Sequence, residues 1–222
     1  MQTVSNLYKE ILQGNNTKLV KVLIDDVEYR EDLIWEASIK HSLYTEDSFS
    51  VGGTCSAELN LKVTPQGTIP RMAEIKVYVA VTNDYQTSEW LPHGVYYIFK
   101  REENHDGTLS IIAYDAMLKS EQVGYSSATG FPMAMDALVS DACTRMGVTL
   151  DSGTTISSAL KVEYDSTLSL REYLSYVALA HGGNWTITPD GKLKLVKAFS
   201  GIDLLSDENY DPILFGGVAI IV

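Results

Sequence analysis

Apolar and polar positions alternate along the stretch SVGGTCSAELNLKV. From Cys55 the odd positions are Cys55, Ala57, Leu59, Leu61 and Val63, and the even ones are Thr54, Ser56, Glu58, Asn60 and Lys62. Successive strand side chains point to opposite faces, so this pattern predicts a strand with one apolar and one polar face. Val20, Val22 and Ile24 alternate up to Asp25-Asp26, which reads as a hairpin turn with Val27 and Tyr29 returning. Further strands are predicted at Ile75, Val77, Val79 and Val81, through GVYYIFKRE, and at Leu109, Ile111 and Ala113. Between the last two, ENHDG supplies the Asp-Gly of a tight hairpin. Five or six strands in about a hundred residues, with no long helix between them, imply antiparallel pairing that must close on itself or pack against something. Residues 15–118 are therefore expected to form a β-barrel or a sandwich.

The period changes on either side of this block. At the start, Ser5 or Asn6 caps a short helix in which Leu7, Ile11 and Leu12 share a face and Gly14 gives the stop. After the strands, KSEQVGYSSATG reads as a polar linker. A helix is then expected with Pro132 in its first turn, Gly147 at its end, and Met135, Leu138, Val139, Ala142 and Met146 on one face. Ser169 with Glu172 forms the capping box of a further helix ended by Gly182 or Gly183, and NWTITPDGKLKLV is a hairpin turning at Pro189, Asp190 and Gly191. The fold class is thus α+β: an N-terminal antiparallel β-barrel followed by a small mixed α/β domain. Expected boundaries are a helix over 1–14, the barrel over 15–122 and the α/β domain over 123–205. Residues 206–222, almost wholly apolar from Leu214 onward, read as the start of a further strand or domain, or as a strand pairing with an earlier one.

Composition narrows the function classes. A net charge of -12 with no basic run argues against a protein that grips phosphate backbones. No apolar run approaches the roughly 20 residues that span a bilayer, and the N-terminus lacks the pattern of a signal peptide, so no membrane anchoring is expected. Two cysteines, Cys55 and Cys143, allow at most one disulfide, which places synthesis in a reducing cytoplasm. Cys55 lies on the apolar face of its strand, where burial opposes the thiolate a nucleophile needs, so both cysteines are read as structural.

Candidate chemistry is sparse. His41, His93, His105 and His181 show no metal-ligand spacing. His105 reads as a solvated turn residue, and His181 as a partly charged imidazole favoured by a helix C-terminus. The acidic groups at Asp25-Asp26, Glu28, Glu31-Asp32 and Asp207-Glu208 match neither a calcium loop nor a defined glycosidase pair. No nucleophile elbow, Walker loop or dinucleotide fingerprint is present. Catalytic, cofactor-binding and metal-binding residues are accordingly none, and no cofactor is expected. Thirteen tyrosines and three tryptophans fit protein–protein contacts or two small cores equally well.

Taken in order, SNLYKEIL, SVGGTCSAELNLKV, IPRMAEIKVYV, SEWLPHGVYYIFKREENHDGTLSIIAYDAMLKSE and LREYLSYVALAHGGNWTITPDGKLKLV resemble the hub or baseplate-like tail proteins of tailed bacteriophages and prophages. The resemblance implies a non-catalytic structural component that joins the tail tube to the tail tip. It further implies a homotrimer contacting tube and tip or spike proteins, in a virion tail made in a bacterial host's cytoplasm. DNA would meet the protein only in passing through the lumen, where acidic side chains would repel phosphate. Family members usually continue into a second barrel, whose first strand ILFGGVAIIV would be. Two other classes are weighed beside it: a cell-wall hydrolase or carbohydrate-binding module at a tail tip, and a spike or hub component of a contractile secretion system.

Overall fold

The computed structural model describes residues 4–43, 50–121, 124–126, 130–198, 214–215 and 218–219. A helix, α1 (Asn6–Gln13), opens the chain. The Ser5 hydroxyl caps it by accepting from the Tyr8 N–H, and the helix stops at Gly14. Seven strands follow: β1 (Thr17–Ile24), β2 (Val27–Tyr29), β3 (Ile34–Lys40), β4 (Glu58–Val63), β5 (Glu74–Thr82), β6 (Leu91–Glu103) and β7 (Leu109–Asp115). They form one antiparallel sheet in the order β2-β1-β5-β6-β7-β4-β3.

Alternation places the core. Val22, Ile24, Leu59, Leu61, Val63, Ile75, Val77, Ile98, Ile111 and Ala113 are all buried on the inner face of this curled sheet. The Asp25-Asp26 pair turns β1 into β2 with both residues at positive φ, as a two-residue hairpin turn requires. Three expectations need correction. The sheet is open among the described residues, with β2 and β3 as its two edges, so it is a half-barrel and not a closed barrel. β3, absent from the predicted set, is an edge strand whose residues are mostly exposed, so its sequence IWEASIK carries no apolar stripe. Finally, the strand expected from Cys55 begins at Glu58.

The ladder contains three bulges, each with an extra residue on one strand. They fall at Trp35 in β3, at His93 in β6 opposite Val77 and Tyr78, and at Phe99 in β6. All three residues are exposed. Gly94 follows the second bulge at φ +138°, and the ring of the fully buried Tyr96 lies where its side chain would begin. The Tyr96 hydroxyl donates back to the His93 carbonyl at 3.2 Å. A glycine is therefore required here by both backbone and packing.

A second unit follows. A short 3-10 turn (Ala116–Ser120) leads to β8 (Met133–Ala134), α2 (Met135–Met146), β9 (Thr149–Leu150), β10 (Lys161–Val162), α3 (Leu170–Ala180), β11 (Gly183–Ile187) and β12 (Lys192–Lys197). The expected stripe Met135, Leu138, Val139, Ala142 and Met146 is buried, together with Cys143, against α3 and the β11–β12 hairpin. Gly147 ends α2 in the left-handed conformation. Ser169 and Glu172 form the predicted capping box, the Ser169 N–H reaching the Glu172 carboxylate at 2.6 Å. Pro132 stands outside α2, after a cis Phe131-Pro132 bond and before β8. The expected linker is also partly core, since Tyr125 is buried among Phe131 and Tyr173. Past Ala198 the described residues are β13 (Leu214–Phe215) and β14 (Val218–Ala219), which pair with each other and not with an earlier strand. The remainder of 206–222 lies outside the described residues.

Gly94→Ala is expected to destabilise the chain by about 3 kcal/mol, from a strained φ and a ring that has nowhere to move. A shift of the urea unfolding midpoint measures it, and a change below about 1 kcal/mol would show that Tyr96 repacks.

Candidate functional site: the joint between the two units

The stretch that sequence patterning assigns to a barrel strand serves another purpose. Residues 52–55 lie beside β11 as a short parallel strap. The Gly52 N–H donates to the Gly183 carbonyl at 2.9 Å, the Trp185 N–H to Gly53 at 2.8 Å, and the Cys55 N–H to Trp185 at 3.0 Å. Thus a loop of the first unit extends the sheet of the second. The side chain of Asn184, 2% exposed, completes the pairing from beneath. Its Oδ1 accepts from the Gly53 N–H and its Nδ2 donates to the Ser50 carbonyl, each at 2.7 Å. Buried backbone polar groups need such partners, and here one amide satisfies two of them.

Arg171 on α3 holds the strap from the other side. Its Nη2 donates to the Thr54 carbonyl at 2.6 Å and its Nε to the Thr54 hydroxyl at 3.1 Å, while Nη1 pairs with Glu121. Gly52 faces Leu179 of the same helix so closely that a β-carbon would stand 3.3 Å from that side chain's own. At the strap's far end sits Asp115, 3% exposed, the last residue of β7. Its carboxylate accepts from the Ser56 hydroxyl at 2.9 Å, the Ala57 N–H at 2.7 Å and the Met117 N–H at 3.0 Å. It therefore ties the strap to the turn that begins the second unit. Burial pushes the Asp115 carboxyl above its ordinary pKa; the three hydrogen bonds and nearby Arg171 oppose that shift without cancelling it.

The singled-out residues fall into place around this joint. Cys55 is buried in the strap and Cys143 in α2, and both thiols are free. Burial raises the Cys55 pKa against the pull of Arg171, a cation the sequence could not place beside it. Burial likewise raises that of Cys143. His105 is exposed in its turn. His181 stands at the C-terminal cap of α3, with Nε2 2.9 Å from the Ser157 nitrogen and Nδ1 2.8 Å from the Val177 carbonyl. His41 and His93 meet edge to face at 6.4 Å, a contact that no sequence spacing announces. Among the described residues no group of three or more His, Cys, Asp or Glu side chains is placed to hold a metal ion. No helix among them is long and apolar enough to cross a membrane. The hydrogen bonds of the strap, Asn184, Arg171 and Asp115 fix one unit on the other.

Comparison with known proteins places this architecture. No protein-family description matches the chain, and no curated protein matches it in sequence. Solved structures do match in fold. The 43 kDa tail protein of prophage MuSo2 from Shewanella oneidensis aligns over 87% of this chain with a TM-score of 0.56 at 11% identity. A tail protein from Neisseria meningitidis MC58 aligns over 88% with a TM-score of 0.55 at 14% identity. The chain shares the fold of phage tail proteins. It spans 59% of the first of them and 54% of the second. The Francisella PdpA–VgrG complex also matches, over 82% of this chain and 31% of its own, with a TM-score of 0.51 at 8% identity.

Two outcomes test the joint. Asn184→Ala is expected to cost about 2–3 kcal/mol by leaving the Gly53 N–H and the Ser50 carbonyl unpaired, read from the urea midpoint. Asp115 has a raised folded pKa, so its ionisation is penalised in the fold. Its contribution to stability is therefore fully present below the ordinary aspartate pKa and is lost as pH rises through the folded value. The stability of wild type minus that of Asp115→Asn is expected to fall across that window. A difference that grows with pH would mean that the three hydrogen bonds outweigh burial.

Proposed function

We propose that the chain is a non-catalytic structural component of a phage or prophage tail, a hub or baseplate protein that joins the tail tube to the tail tip. The observation that carries this reading is the fold shared with two tail proteins over nearly nine-tenths of the chain. The joint supports it physically. A part that transmits position between two neighbours needs its units fixed relative to each other, and the strap, Asn184, Arg171 and Asp115 supply that rigidity. The order of segments quoted from the sequence supports the hub assignment within the tail.

In this reading three copies form a ring through which DNA passes, and the net charge of -12 keeps phosphate from adhering to the bore. Tube and tip or spike proteins are its neighbours, and the virion tail is its place. A second reading, a spike or hub component of a contractile secretion system, is favoured by one observation, the fold likeness to the Francisella PdpA–VgrG complex. The third, a cell-wall hydrolase or carbohydrate-binding module, finds no metal cluster among the described residues to build on. A turbidity assay on bacterial cell walls separates it from the other two.

Light scattering of the purified chain tests the main reading. The expected mass is three times the 24.5 kDa of one chain. A single-chain mass, or clearing of cell walls by the protein, would overturn it.

A further inference from the structure

Two apolar features lie on the outside of the molecule, one of which shares Leu179 with the joint. The first is a groove of about 410 Å³ between α3 and the β8–β10 ribbon. Met135, Val162 and Leu168 contribute to its floor, and Tyr176 and Leu179, 51% and 55% exposed, line it from α3. Glu163 lines it; the exposed Asp165 donates its backbone N–H to the hydroxyl of Tyr173 in the lining, and the exposed Glu172 precedes Tyr173 in α3. The second feature is Phe99, 63% exposed at its bulge in β6 and braced edge-on by Tyr114 at 5.5 Å. Lys100 follows it, exposed and 3.8 Å from Glu102.

We propose that Phe99 of one copy seats in the α3 groove of a neighbouring copy, with Lys100 facing Glu163, in a head-to-tail contact that closes into a ring. This rests on the assembly reading above and gives it a surface. The occupant is a second copy because the chain itself carries both complementary halves: an aromatic ring beside a cation, and an apolar groove beside carboxylates. Pairing groove to groove would set the acidic rims against each other, which like charges disfavour. A heterologous contact of this kind makes rings where the rotation closes. Knob and groove lie on different units, and the joint fixes the angle between them, so it fixes the rotation per copy.

Light scattering on wild type, Phe99→Asp, Tyr176→Asp and an equal mixture of the two variants tests the contact. Both positions are exposed, and circular dichroism checks that each variant keeps its fold. The expected result is a ring for wild type and a mass of 24.5 kDa for each variant alone. The mixture is expected to give twice that mass, because one variant keeps the groove and the other keeps the knob. Lys100→Glu should weaken assembly at least about tenfold, and Glu163→Lys in the same chain should restore it. Variants that still form the wild-type ring would overturn this contact and leave the assembly reading standing. Loss of assembly with Tyr176→Asp but not with Phe99→Asp would mean that grooves pair with grooves, and a mixture of single chains would also overturn the proposal. A monomeric wild type would overturn both readings together.

Discussion

The backbone of residues 50–55 is the constraint on which the rest of the structure depends. This stretch leaves the first sheet before it can pair within it, so its N–H and C=O groups must be satisfied elsewhere. They are satisfied by β11, by Asn184 and by Arg171, all from the second unit. The arrangement cannot form until α3 and the β11–β12 hairpin are in place, and those elements in turn gain an extra strand from it. Each unit thereby finishes the other. Asp115 adds a third tie, between the strap and the turn that starts the second unit, at the cost of a buried carboxylate.

The first sheet depends on a different balance. Its inner face is filled by alternating aliphatic residues, which demands that register be held along every strand. Curvature then comes from the three bulges, where an extra residue bends the strand without disturbing the inward set. A bulge turns its extra side chain outward, and here those side chains are Trp35, His93 and Phe99. Large rings on a solvent face weaken solubility unless something covers them. The same device that curves the sheet therefore sets these rings on its outer surface.

Much of this was legible in the sequence, and the failures have physical causes. Alternation found six of the seven large strands, and helical spacing found the buried face of α2, because burial on one face leaves a period. β3 escaped because an edge strand with exposed residues on both sides has no such period. The strap escaped for the opposite reason. Cys55 and Ala57 continue the alternation of β4 and are buried as predicted, but the backbone between them and Gly52 pairs with a strand more than a hundred positions later in the chain. Apolar pattern reports that a residue is buried, not what buries it. Arg171 beside Cys55, and His41 beside His93, are contacts of the same long-range kind.

The acidic composition also reads differently once the turns are seen. Asp106 accepts from Thr108 in the β6–β7 turn, which together with Lys62 holds its carboxyl down to about 2. Asp165 does the same with Thr167, Asp190 with Lys192 and Thr188, and Glu172 with Ser169, and each carboxyl is lowered by those bonds. These side chains are employed locally, as caps and turn closures that favour an ionised oxygen. Part of the negative charge is thus a by-product of how this chain makes its corners. Each of these carboxyls stays ionised while it closes its turn, so the same side chain serves the fold and adds to the net charge of -12.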